Sequence, residues 1–409
     1  MAVIERTERR PSPLRRREFR LYFIGNITSN IGSWLSNVAL AVYMHHLTDS
    51  SFWVGVSVFG LFVPVIAFAL PAGVLADRMD RVQLLRRAQL WMASLATLLT
   101  VLVAIDAANR WVVAAVSLGL GLGIAIAIPA MQALIPLLVP PEELHDAIQL
   151  NALTFNGARV VGPLAATAML VTLGPAWAFG LNAVSYFALV AALSMIRKPP
   201  FPRAADRPPG PIREGIAYAW RHLRTRWMLL SIVAIGIALD PITTLSPALA
   251  QDLGIGRDGA GWIVAAWGGG AVLMILVAGR LIRAISEHGL GWVGLIALAA
   301  GVAGLGVAPT VWLAIPAAVL AGMGYITATM AFTTTIQADV PESLRGRVSA
   351  LWTLAFLGPR AVAGVVDGAL GDLLGPHTTT VIFSSVALVA AVLLRRVIAP
   401  KGEPVPPPA

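Results

Sequence analysis

Residues Gly73–Arg81 read GVLADRMDR, with two aspartates and two arginines set between long apolar runs at Phe52–Leu70 and Leu84–Ala104. Crossing a bilayer takes about 20 apolar residues, so each run is long enough to be a span. A charged connection this short is then a tight hairpin at a membrane surface, fixing one helix end on either side.

The composition agrees. Of 409 residues, 57% are hydrophobic and 12% charged, half of the roughly 25% charged fraction of a soluble domain. The 38 glycines and 28 prolines are scattered through apolar runs, as in membrane helices whose neighbours re-satisfy the backbone. With no cysteine, disulfides and thiolate metal sites are excluded. No metal or cofactor is expected.

Twelve spans follow: 21–46, 52–74, 84–104, 111–137, 147–171, 177–195, 228–250, 259–285, 289–307, 311–338, 348–374 and 378–398. The expected fold class is an all-α membrane protein with two pseudo-symmetric six-helix bundles, 21–195 and 228–398. A basic arm (1–20), a linker (196–227) and a disordered tail (399–409) complete the chain.

The basic residues fix the orientation. Seven lie in the arm, four at 78–87, eight in the linker, and the rest at Arg280, Arg283, Arg345, Arg347 and beyond residue 394. These segments share one face, and together they hold 26 of the 30 basic residues; the opposite face has only Arg110 and Arg257. The positive-inside rule then places both termini in the cytoplasm of a plasma-membrane protein. Spread over six segments, the +9 net charge is an orientation signal and not a nucleic-acid surface. The first apolar run is about 25 residues with no small-residue cleavage site, so it is an uncleaved span.

The linker opens with Pro199, Pro200, Pro202, Pro208, Pro209 and Pro211, which predicts an extended or disordered stretch. Then Ile212, Ile216, Trp220 and Leu223 recur at helical spacing among Arg213, Arg221 and Arg224. This is either an amphipathic helix on the inner surface or a basic tether.

The halves are related. Val139-Pro140-Pro141-Glu142 leads to Arg159, and Val340-Pro341-Glu342 leads to Arg360, with Val139/Val340 and Arg159/Arg360 both 201 residues apart. Gly279–Arg283 is a weak copy of the hairpin. Repeated halves around a linker are the organisation of a transporter with its site between them.

At this point GVLADRMDR resembles the signature of the major facilitator superfamily, Gly-x-Leu-Ala-Asp-Arg-x-Gly-Arg. Gly73, Leu75, Ala76, Asp77, Arg78 and Arg81 match, and Asp80 replaces glycine. The resemblance implies that Gly73 permits close approach of span two to span eleven. It also implies that Asp77, with Arg78 and Arg81, forms a gating motif, Asp77 facing the N-terminal end of span eleven and locking the outward-facing form. A carboxylate there is favoured by the helix dipole. The plainer alternative is positive-inside charge with an incidental aspartate. Asn151-Ala152-Leu153 and Phe155–Pro163 resemble the branch that includes enterobactin-type exporters and multidrug efflux proteins. Gly162-Pro163 is similar to the antiporter motif, but Ala165 and Ala166 replace its glycines and span four lacks the arginine of many proton-coupled exporters.

Charges at mid-membrane cost roughly 2.5–3.5 kcal/mol each on insertion scales and so point to function. Asp240, in IALDPITTL, is the candidate for proton coupling; the alternative is an N-cap before a helix restart at Pro241. Arg159 and Arg360 either bind an anionic substrate group, pair with Asp240 or Asp367, or order helix packing. Asp367, nearer the outer surface, reads as a solvated helix-end residue. Asn26, Asn30, Ser33 and Asn37 form a polar stripe on span one. With Trp34 on the same span, and Tyr325 on the polar tenth span, they either line the cavity or hold helices together. Trp262 and Trp267 either stack on a ligand or pack and mark the interface.

The chain has two lysines, neither preceded by glycine, so it holds no phosphate loop for a primary pump. It has neither His-x-x-x-His nor Gly-x-Ser-x-Gly, and the pair His45-His46 marks a span end, so no enzyme is expected. The expectation is a monomeric secondary transporter exporting a drug-like molecule, siderophore or secondary metabolite by proton antiport. Import by proton symport is the alternative, and a non-transporting scaffold the third.

Overall fold

The computed structural model describes residues 12–196, 212–281 and 287–398. The outer part of the basic arm, the linker prolines, the end of the weak hairpin copy and the tail at 399–409 lie outside the described residues.

The first half is built from α1 (Arg17–Thr48), α2 (Ser51–Ala67), α3 (Ala69–Arg78), α4 (Arg81–Ala104), α5 (Arg110–Leu134), α6 (Leu144–Thr172) and α7 (Pro175–Ser194). The linker holds α8 (Ile212–Arg221). The second half follows with α9 (Leu223–Thr244), α10 (Ser246–Asp252), α11 (Ala260–Leu281), α12 (Glu287–Val307), α13 (Val311–Asp339), α14 (Glu342–Leu374) and α15 (Pro376–Ile398). Among the described residues there is no strand.

Nine stretches of the described chain are long and apolar enough to cross a membrane unaided. The other three spans differ for physical reasons. The helices α1 and α6 are long enough but carry polar faces. Span two is broken at Phe68, whose N–H donates to the Pro64 carbonyl at 2.9 Å. Pro64 cannot bond back into the helix, which weakens it one turn before the break. Span seven repeats the device, breaking at Leu245 on the Pro241 carbonyl at 3.0 Å. Large apolar side chains point outward, Leu373 and Trp312 being 78% and 83% exposed. A bilayer is the solvent that suits them.

The internal repeat is visible in the packing. In the first half α1 packs on α6 and α7, α4 on α5 and α7, and α2 on α5. In the second, α9 packs on α14 and α15, α12 on α13 and α15, and α11 on α13. Each contact has its counterpart. The two main contacts between halves, α2 with α14 and α6 with α11, are exchanged by the same repeat.

Ion pairs tie the helices at the basic face. Arg16 donates to Glu143 at 2.8 Å, and Glu143 is only 2% exposed. Arg224 meets Asp339 at 3.1 Å at the matching corner of the second half. In the hairpin, Asp80 accepts from the Gln83 N–H at 2.8 Å and caps α4, whose first residue is Arg81. The departure from the family pattern is therefore a helix cap. The amphipathic helix forms as α8, with Ile216 and Trp220 exposed. Its Glu214 pairs with Arg347 on α14, and Tyr218 donates to the Asp339 carbonyl at 3.0 Å.

The halves touch at the face opposite the basic one. A Cβ at Gly55 on α2 would collide with the Gly364 carbonyl of α14, and one at Gly261 on α11 with the Pro163 carbonyl of α6. Polar groups close the same edge. Asp372 accepts from the Ser51 and Phe52 N–H groups at 2.7 and 3.2 Å. Arg257 donates to Asp49 at 2.5 Å, and His46 lies 3.1 Å from Asp258. Toward the basic face the same helices part. Nothing lies within 4 Å of a Cβ placed at Gly73 or Gly157. The close approach of spans two and eleven expected at Gly73 is thus found at their other ends, because this form is shut on one face and open on the other.

Candidate functional site

Between α2, α5 and α14 a cleft of about 170 Å³ opens. Its lining is apolar apart from residues such as Gln132 and Thr353, and the charged residues of the sequence reading do not reach it. The chemistry lies at the midplane.

There Arg159 of α6 is 3% exposed. Its guanidinium carbon sits 5.2 Å from the Trp34 ring, 5.1 Å from Phe155, 4.7 Å from Trp267 and 5.1 Å from Tyr325. These rings come from α1, α6, α11 and α13, so the cage exists only where the halves meet. The helical spacing explains Phe155, one turn before Arg159 on the same face. Cation–π contact offsets part of the cost of burying the charge, about 2 kcal/mol or more per desolvated ring contact at best. The hydrogen-bonding capacity is not spent. Among the described residues Nε and Nη1 of Arg159 have no partner, nor has the indole N–H of Trp267 or of Trp352. Buried donors of native proteins are nearly always satisfied. A cluster left open here has the chemistry of a receptor for oxygen-rich anions.

The rings continue as a ladder. Phe155 packs edge-on against Trp34, which contacts Trp267, then Tyr325, Phe356 and Trp352 at centroid distances of 5.6–6.1 Å. Phe356 and Trp352 escaped the sequence reading, and Phe155 entered it only as the start of a family-like motif. Their signal was the i, i+4 spacing of Phe155 with Arg159, which ends up facing the other half, and of Trp352 with Phe356.

Arg360 of α14 is also buried, but it is paired. Its Nε donates to Asp240 Oδ1 at 3.2 Å, and Thr244 donates to Oδ2 at 3.0 Å. The Phe62 ring lies 4.8 Å from its guanidinium carbon. The helix α9 runs unbroken through Asp240 and Pro241, so Asp240 is not an N-cap. Asp367 is 0% exposed. It is a buried residue, not the solvated helix end expected from its position.

The polar stripe of span one goes largely to helix contacts. Asn26 donates to Asn151 and Thr154 at 3.0 and 3.1 Å, Asn30 to Thr154 at 3.1 Å, and Ser33 to Tyr186 at 3.2 Å. Asn37 is exposed, one turn beyond Trp34. On α13, Thr327 and Thr333 donate to their own helix at 2.7 Å, leaving Tyr325 as the member that reaches the cage. In the hairpin Arg78 is exposed and Arg81 buried; the Asp77 side chain lies outside the described residues. Among the described residues no group of three or more His, Asp or Glu side chains could hold a metal.

Two related six-helix halves, packed through α2–α14 and α6–α11 around a buried midplane site, define a secondary transporter of the major facilitator type. The profile of the transmembrane secretion effector family matches residues 10–405, and the chain belongs to that family. It is 29% identical over 374 residues to the enterobactin exporter EntS of Citrobacter koseri, covering 88% of this chain and 86% of that one. It is 27% identical over 395 residues to EntS of Escherichia coli O1:K1, covering 92% and 90%. Among solved structures, a bacterial homolog of the human lysosomal transporter Spinster, inward-facing and unoccupied, superposes with a TM-score of 0.75 at 15% identity, covering 95% and 99%. The nucleoside transporter NupG gives 0.72 at 12% identity, covering 94% and 100%. At that identity the likeness is one of fold.

Proposed function

We propose that the chain exports an anionic, aromatic, oxygen-rich small molecule of siderophore or secondary-metabolite type across the inner membrane by proton antiport. The observation that carries this is Arg159, a buried cation with free donors inside a ring cage formed by both halves. The names of the EntS relatives support the siderophore class. The basic residues support a cytoplasmic position for the hairpin face and both termini, so the cleft of this form opens to the cytoplasm. Substrate enters there, its oxygens taken by Arg159 and its rings by the ladder. The halves then rock about the midplane and release it outside. Protonation of Asp240 frees Arg360 and loosens the α9–α14 contact, which couples proton entry to the return stroke. The pathway lies within one chain, so the monomer is the working unit.

The test uses inside-out vesicles with labelled enterobactin as the probe. An acid interior should drive its accumulation, and a proton ionophore should abolish it. Losing hydrogen bonds to a charged donor costs about 1.5–3 kcal/mol, so Arg159→Ala at equal abundance should bind roughly 10- to 100-fold more weakly. Equal accumulation in vesicles lacking the protein would sink the proposal.

A further inference from the structure

Asp367 is a buried carboxylate within the spans that this transport scheme leaves unused. It is 0% exposed, and among the described residues no side-chain donor or salt-bridge cation reaches either carboxylate oxygen. It stands seven residues beyond Arg360, two turns along α14 and on the same face, about 10 Å nearer the outer end. Its neighbours in sequence form the outer seal. The Gly364 carbonyl blocks Gly55, and a Cβ at Gly368 would collide with the Ser51 carbonyl. Asp240 Oδ2 lies 2.9 Å from where a Gly364 Cβ would be, so the acid of α9 borders the same seam.

The surrounding charges are all engaged. The helix α2 carries no charged residue. On α9, Asp240 holds Arg360, and the arginines lie at the far end. On α14, Arg360 is taken by Asp240, Asp372 by the N-terminus of α2, and Arg347 by Glu214 of α8. On α15, His377 meets the Gly306 carbonyl at 2.9 Å and Asp252 at 3.9 Å, while Arg395 lies at the other end. No described cation is left for Asp367. An ionised carboxylate in a dry, partnerless site is strongly disfavoured, and such a group neutralises instead.

We infer that Asp367 is where the inbound proton first binds, and that its protonation is what allows the outer seal to close. The inference rests on the antiport reading. When α2 swings from α14, water reaches Asp367 and the ionised form is tolerated; when they close, the group must hold a proton. Since the closed form binds a proton that the open form does not require, acid outside favours closure. After closure the proton passes from the Asp367 carboxylic acid to the Asp240 carboxylate while Arg360 moves the opposite way. Charge is conserved and no co-reactant is needed.

The absence of native cysteine makes the test direct. Spin labels at Leu173→Cys and Trp312→Cys, exposed positions at the outer ends of α6 and α13, report the seal in the full-length protein in lipid nanodiscs. The label distance should shorten as pH falls. In Asp367→Asn it should stay short at every pH, and Asp367→Glu should restore the shift. A wild-type pH response that persists in Asp367→Asn, or none in the wild type, overturns the inference. Vesicles separate the two levels. Enterobactin accumulation that ignores an imposed pH gradient in the wild type removes the antiport reading and this inference with it. Gradient-driven accumulation that is undiminished in Asp367→Asn removes this inference alone.

Discussion

Arg159 and Arg360 occupy matching points of the internal repeat, yet only Arg360 faces a carboxylate. Arg360 meets Asp240 at 3.2 Å, while Arg159 meets four aromatic rings. The same offset of 201 residues sets Ala39 of α1 opposite the role of Asp240, and α1 has no acid beyond Glu18. One copy of the repeat holds its own counter-ion; in the other, among the described residues, the guanidinium meets rings alone.

Arg159→Lys separates charge from shape. The ammonium retains attraction to an anion but loses the planar fork and much of the stacking on Trp267 and Trp34. We expect KM for enterobactin to rise about 10-fold, matching the loss of one charged hydrogen bond. Turnover at saturation should be nearly unchanged, as measured in inside-out vesicles.

Asp240→Asn and Arg360→Gln should each lower stability by about 3–5 kcal/mol, because each leaves a buried charge without its partner. The double variant should recover most of that loss. Thermal unfolding of the four proteins in one detergent closes the cycle. Additive losses would show that the two side chains do not depend on each other.

Gly55→Val places a branched side chain against the Gly364 carbonyl at the outer seal. The halves then cannot meet there, so the form described here should be depopulated. The distance between spin labels at Leu173→Cys and Trp312→Cys should stay long, and export should fall at least about 10-fold if the shut form is disfavoured by 1.4 kcal/mol or more.

Much of the architecture was legible in the sequence, because a bilayer imposes one simple rule on every span. Apolar length and the placement of 30 basic residues were enough for span number and expected orientation. The repeat of Val-Pro with a following arginine marks the two halves. The site was only half legible. Arg159, Trp34 and Tyr325 stood out as a charge at depth or as residues of polar spans. Phe155 and Trp352 did not, since an aromatic residue in a membrane helix faces lipid, a neighbouring helix or a cavity with the same local pattern. Asp367 was misread for a related reason. Its distance from the helix end suggested water, and only the glycine-to-backbone seal between α2 and α14 shows it to be dry.

Asp80→Gly restores the residue that the family pattern carries at this position and should change stability by only a few tenths of a kcal/mol, whereas Asp80→Ala should cost about 1 kcal/mol. The cap on Gln83 N–H is the reason, since glycine tolerates an N-cap position that alanine does not. Thermal melts of both variants decide it, and equal losses would mean that the cap contributes nothing.

The ladder from Phe155 to Trp352 contains three indoles, Trp34, Trp267 and Trp352, in ring-to-ring sequence beside a charged group. Such an array is an optical instrument already installed. Any passenger that docks on Arg159 alters the field at Trp34 and Trp267, and any stroke that parts the halves breaks the row between α1 and α11. Loading and movement should therefore be visible as separate changes in the protein's own ultraviolet emission, without a dye, and single-tryptophan replacements along the row would say which event each change records.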